Sequence, residues 1–255
     1  MKTGWKSVLI AVCLSMFFPV VSFGADQAPV PSSKTGGAEI AVAPGTSQNG
    51  FLNTWVVGIQ AGPTFAPQNL FTNFLGTNTN LVSGVGPYVS ANALYGVSHF
   101  STIPLNVLVG LDIDYNSLPV NVQSSSFNLG NSSTVSLLPT VEFRTDKMEN
   151  LSLYASLGLG VNFNSFSNSS SLNSFCGGVT CSINPSDSFA ARLGVGLDYF
   201  ISPNFALNAE IGYLVNYTSA AITATAPGIS LTTGNGTVNA STLFFLFGFH
   251  YRSFL

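Results

Sequence analysis

Charged side chains are scarce in this chain. Of its 255 residues only 7% are Asp, Glu, Lys or Arg, while 46% are hydrophobic. Soluble domains carry about 25% charged residues, so an ordinary water-facing surface is excluded for most of the chain. The net charge is −3 and the pI near 5.1, which removes a basic surface for nucleic acid; no nucleic-acid partner is expected. Long apolar runs are missing too. Beyond the N-terminal segment no stretch approaches the roughly 18 apolar residues of a membrane-crossing helix. An apolar chain without helical spans has one other way through lipid, a closed β-barrel that gives every backbone polar group a partner.

Cysteine is nearly absent. Cys13 lies in an N-terminal segment that reads as a secretory signal over residues 1–24. Lys2 and Lys6 supply its positive start, Val8 to Val21 its apolar core, and Ser22-Phe23-Gly24 a small-x-small cleavage site. Export permits a disulfide between the two remaining cysteines, Cys176 and Cys181, and favours it over free thiols. Such a ring contributes about 2 kcal/mol on the chain-entropy model. No histidine lies near that loop, so a metal site is disfavoured, and no cofactor is expected.

What is present is alternation. Phe189–Ile201 and Phe205–Tyr217, joined at Ser202-Pro203-Asn204, each place an apolar row on one face and small, polar or charged residues on the other. The same pattern predicts strands over Thr54–Thr64, Gly84–Tyr95, Leu105–Asn116, Ser133–Thr145, Leu151–Asn164 and Asn239–Leu255. Residues 25–52 are Pro-, Gly- and Ser-rich and read as a flexible periplasmic leader, which leaves 53–255 for the barrel. Polar stretches of about 66–83, 117–132, 165–188 and 218–236 alternate with short connections, the asymmetry of outer-membrane barrels with long external loops and short periplasmic turns. About eight strands result, with ten if Ile40–Ala43 or a loop adds pairing. The expected fold is all-β, an up-and-down antiparallel transmembrane barrel. Phe189 and Tyr199 lie roughly 33 Å apart along their strand, about 25 Å vertically at a tilt near 40°, which is the height of the lipid band. Aromatics then form two girdles, with Trp55, Tyr95, Phe143, Tyr199, Phe205 and Tyr251 at the periplasmic interface and Tyr115, Phe163, Phe189 and Tyr217 at the outer one.

The last strand carries Leu243, Phe245, Phe247, Phe249 and Tyr251 on one face, with Leu255 in phase. Here the chain resembles the small eight-stranded bacterial outer-membrane proteins of the opacity-protein, OmpA-barrel and OmpX kind. The resemblance covers about Thr54 to Leu255. It implies location in the outer membrane, contact with its lipid and lipopolysaccharide, and a C-terminal signal for the barrel-assembly machinery at Phe247, Phe249, Tyr251 and Leu255. Many members end on an aromatic residue; here Phe254 is penultimate.

Most charges of the barrel fall on inward positions. Asp112, Asp114, Glu142, Asp198 and Glu210 face Arg144, Arg192 and Arg252, with His250 nearby. Enclosed charges need partners, so an ion-pair network filling the lumen is expected. The inward glycines 58, 110, 158, 160, 194, 196 and 212 leave two readings open: room for a small gated pore, or relief of crowding in a tightly curved sheet. His99-Phe100-Ser101 resembles the His-x-Ser of outer-membrane lipid A deacylases, but it falls at a periplasmic turn with no acidic residue near it in sequence, and the chain is not expected to be an enzyme. The expected role is envelope structure with adhesin-like external loops that contact a host or surface ligand. A narrow porin or small-molecule channel is the alternative, and a lipid-modifying enzyme is third.

Overall fold

Side chains that alternate between apolar and polar can bury the polar set only if the sheet closes on itself. The computed structural model describes residues 50–67, 81–100, 104–123, 127–146, 148–176, 179–226, 229–232 and 236–254. In chain order these form β1 (Thr54–Phe65), β2 (Leu81–Ser83), β3 (Gly86–Phe100), β4 (Leu105–Val122), β5 (Asn128–Thr145), β6 (Leu151–Asn168), α1 (Ser170–Phe175), β7 (Thr180–Pro185), β8 (Ser188–Phe200), β9 (Phe205–Ala226), β10 (Ile229–Thr232), β11 (Gly236–Asn239) and β12 (Thr242–Phe254). Eight long strands close a ring in the order β1-β3-β4-β5-β6-β8-β9-β12, and β12 pairs back onto β1 from Thr54↔Phe254 to Phe65↔Leu243. Every pairing in the ring is antiparallel. The signal segment, the leader up to residue 49, Leu255, Ser101 and the loop residues Leu70, Phe71, Phe74 and Leu75 lie outside the described residues.

The wall is turned inside out relative to a soluble barrel. Ile59, Phe189 and Phe247 are 59%, 64% and 66% exposed on the outside, while Gln60, Asp114, Arg192 and Asp198 are buried within. On the outer face Trp55 packs on Tyr95 with ring centroids 5.2 Å apart, and Phe205 on Phe249 at 5.3 Å. Phe143, Tyr199 and Tyr251 are exposed near the same short-turn end; Tyr115, Phe189 and Tyr217 are exposed toward the other, with Phe163 half-buried beside them. Phe247, Phe249 and Tyr251 all face outward on β12.

Among the described residues, the polar stretches expected to be loops contain much strand. β4 and β5 run on through 117–122 and 128–132, β6 through Asn168 and β9 through Ala226. The reason is an inversion of phase. In β4 the inward row carries Asp112, Asp114 and Asn116, then becomes Leu118, Val120 and Val122, all buried. In β9 it passes from Asn216 and Thr218 to Ala220 and Ile222. Above the lipid the outer surface meets water, so the ordinary rule of apolar inside returns.

The inverted segments build a cap. β2 pairs with β4, and β7, β10 and β11 all pair with the extension of β9. Leu81, Val120, Leu129, Leu172, Ile183 and Ile222 form its core. Cys176 and Cys181 are joined by a disulfide beside that core. Replacing both cysteines by alanine should cost about 2 kcal/mol, confined to the cap: amide exchange in β7 should accelerate roughly 30-fold while exchange in β8 stays unchanged. Equal acceleration in both strands would contradict a separate role for the cap.

At the opposite end Phe51, which precedes β1, packs into the barrel. It is fully buried, packs with Val56, Leu94, Leu108, Phe200 and Ala206, and donates its amide to Asn106 Oδ1 at 3.0 Å.

Candidate functional site

Strand order decides which inward charges meet. Near the short-turn end, Arg144 on β5 donates through Nε to Glu142 Oε1 at 2.6 Å and through Nη1 to Asp198 on β8. His250 on β12 approaches the same carboxylate, Nδ1 to Oδ1, at 2.9 Å. The Arg144 guanidinium lies over the rings of Phe51 and Tyr154, 5.0 and 4.7 Å from their centroids. Arg252 stacks on the same Phe51 ring at 4.9 Å and donates to the Gly50 carbonyl at 3.3 Å. Both guanidinium groups thus lie within cation–π reach of the Phe51 ring at this end of the barrel.

A second network lies nearer the cap. Arg192 on β8 donates to Asp112 Oδ2 at 2.7 Å and to Glu210 Oε1 at 2.8 Å, with Asp114 Oδ2 3.4 Å from its Nε. Its face rests on Phe244, 5.0 Å from the centroid. Tyr88 donates to Asp114 Oδ2 at 2.7 Å. The two networks are joined by Tyr154, which donates to Glu210 Oε2 at 3.0 Å and accepts from Asn208, whose Nδ2 also donates to Asp198 Oδ1. One guanidinium, one fork of fixed geometry, spans three carboxylates from β4 and β9.

The inward glycines answer the choice between space and crowding. A Cβ at Gly58 would stand 2.2 Å from the His250 ring, at Gly194 2.1 Å from Glu210, and at Gly196 and Gly212 2.4 Å from the rings of Tyr154 and Phe244. The room they leave is occupied by lumen side chains. At Gly110 and Gly160 a Cβ would strike the carbonyl of the neighbouring strand instead. An eight-stranded barrel is only wide enough for side chains to fill or for one small ligand.

Above the charged layers sits a belt of amides and hydroxyls. Asn216 donates to Asn164 Oδ1 at 2.8 Å, Thr134 donates to the same oxygen at 2.9 Å, and Ser136 donates to Asn162 Oδ1 at 2.6 Å. Over that belt lies a small pocket inside the cap, about 20 Å³ in volume, room for about one water. Its walls are largely apolar, with Leu81, Val120, Phe166, Ile183 and Val238, and Asn164 and Thr218 also line it.

Some participants escaped the sequence reading. Gln60 donates to Asn208 Oδ1 at 2.6 Å, and Phe51 lay outside the expected barrel. His99 does have an acidic neighbour: Asp146, distant in sequence, stands 3.6 Å from its Nδ1, and Asn106 lies between them, bonded to both. Pairing of β3 with β4 and of β4 with β5 brings that group together at the short-turn end. Among the described residues no three of His, Cys, Asp and Glu are grouped to hold a metal ion.

No protein-family model and no curated protein matches this sequence. Solved structures do match. The chain is similar to the outer membrane protein OprG from Pseudomonas aeruginosa, with 14% identity, a TM-score of 0.61, and coverage of 81% of this chain and 99% of that one. It is also similar to the outer membrane protein AlkL, seen in DMPC lipid bilayers, with 16% identity, a TM-score of 0.51, and coverage of 90% and 98%. The chain has the fold of small bacterial outer-membrane β-barrels, and the apolar belt around its polar lumen suits the same setting.

Proposed function

We propose that this protein is a non-conducting barrel of the bacterial outer membrane that works from its external end, as envelope structure and as a surface for interaction. The observation that supports the reading is the pair of buried ion networks: Arg144 and Arg192 with their carboxylates lie inside the barrel, which argues against passage through it. The end that remains is the cap, where long connections on a rigid scaffold are suited to binding. The stretches 66–83, 117–132, 165–188 and 218–236 contain one charged residue between them, Asp187. A partner for such a face would be held by hydrogen bonds and apolar contact, not by ion pairs. Cells displaying the wild type should adhere to the ligand-bearing surface severalfold better than cells displaying a chain whose residues 170–185 and 227–240 are replaced by short turns. Equal adhesion by both would remove the support for an adhesin-like role.

A further inference from the structure

The network around Arg192 does not balance. Asp112, Asp114 and Glu210 surround a single guanidinium, which leaves a formal charge of −2 in a buried layer. Beside it lies a patch of unsatisfied oxygens. Gln60, Ser90 and Asp114 are paired directly across β1, β3 and β4, and Asn92 with Asp112 forms the adjoining cross-strand pair. Each of the five holds a buried oxygen without a hydrogen-bond partner: Gln60 Oε1, Ser90 Oγ, Asn92 Oδ1, Asp112 Oδ1 and Asp114 Oδ1. Their remaining polar atoms are engaged. Gln60 Nε2 binds Asn208, Asn92 Nδ2 meets His250, Asp112 Oδ2 binds Arg192, and Asp114 Oδ2 accepts from Tyr88. Ser90, with no exposure, has its one side-chain oxygen in the middle of the row.

Buried polar atoms are nearly always satisfied, so five exceptions on adjacent inward positions call for a common partner. A cation would serve these oxygens as one shared partner and at the same time offset the formal −2 of the layer. We propose that these five oxygens bind a calcium-sized divalent cation, which completes the charge balance of the Arg192 layer. Neighbouring side chains across strands start about 4.5–5.5 Å apart, within reach of an ion that takes oxygens at about 2.3–2.6 Å. The donor set, two carboxylates with amide and hydroxyl oxygens, is hard and irregular. It suits calcium better than magnesium, which demands near-octahedral geometry, or zinc, which prefers nitrogen and sulfur.

Terbium(III) tests this in the full chain, refolded in detergent micelles and stripped with EDTA. The Tyr88 hydroxyl lies 2.7 Å from Asp114 Oδ2, so tyrosine excitation should sensitise terbium emission at the patch. The emission should saturate and be displaced by calcium, with at least tenfold less effect from magnesium. Asp114→Asn should weaken binding at least tenfold and Ser90→Ala about threefold, whereas Asp187→Asn, a change at an exposed carboxylate, should leave it within twofold. Heat-modifiable migration on gels reports folding of each variant; if Asp114→Asn does not fold, Ser90→Ala, which removes one hydroxyl, decides. Absence of saturable emission, emission that calcium does not displace, or equal affinity in wild type and Ser90→Ala would overturn the assignment.

Discussion

Replacing Arg192 with methionine should destabilise the barrel by about 3–5 kcal/mol, the cost of removing one partner from a buried ion cluster. The methionine fills much of the same volume, so the loss is electrostatic. Asp112, Asp114 and Glu210 would share one low-dielectric layer with no cation among the protein's own side chains to oppose them. The urea midpoint for loss of heat-modifiable migration in micelles should fall accordingly. Arg192→Lys should fall between, because an ammonium keeps the charge but lacks the planar fork whose separate nitrogens reach Asp112 and Glu210. Neutralising the acids restores the balance from the other side: Arg192→Met combined with Asp112→Asn, Asp114→Asn and Glu210→Gln should recover most of the loss. If Arg192→Met unfolds within about 1 kcal/mol of wild type, a threshold well below the buried-pair range, the cluster is not what holds this layer together.

Gly212→Val should cost about 3 kcal/mol, toward the upper end for an overpacked interior. The added Cβ would stand 2.4 Å from the Phe244 ring and 2.5 Å from the Leu193 carbonyl. Neither can yield easily. The ring is fully buried between Arg192 and Tyr88, and the carbonyl belongs to the adjacent wall strand. Phe244→Ala in the same chain removes the ring and should recover more than half of the loss, a coupling that separate urea titrations of the single and double variants would measure. Purely additive losses would show that the glycine serves the backbone and not the ring.

The wall was legible because lipid imposes a strict rule. Inward Tyr88, Ser90, Asn92 and Leu94 alternate with outward Val89, Ala91 and Ala93, and no soluble strand needs that inverted polarity. The outward ends of the same strands were illegible for the same physical reason. At Leu118, Val120 and Val122 the apolar row moves inside, and Ser117, Pro119 and Asn121 take the water-facing side, so a reader tracking the lipid phase sees only a polar loop. The inversion point itself, Asn116 to Leu118, is where the wall leaves the membrane. Inward charges could be named from the alternation, but their grouping depends on ring order: Arg192 meets Asp112 although 80 residues separate them. Phe51 could not be found this way. It precedes the first strand, has no period to belong to, and is held by contacts of its ring with the Arg144 and Arg252 guanidinium groups.

A planar lipid bilayer recording of the refolded full-length protein tests most directly whether these side chains close the barrel. The filled lumen predicts insertion without a steady current, at most brief flickers as the networks fluctuate. A stable, reproducible conductance from the wild-type chain would contradict it.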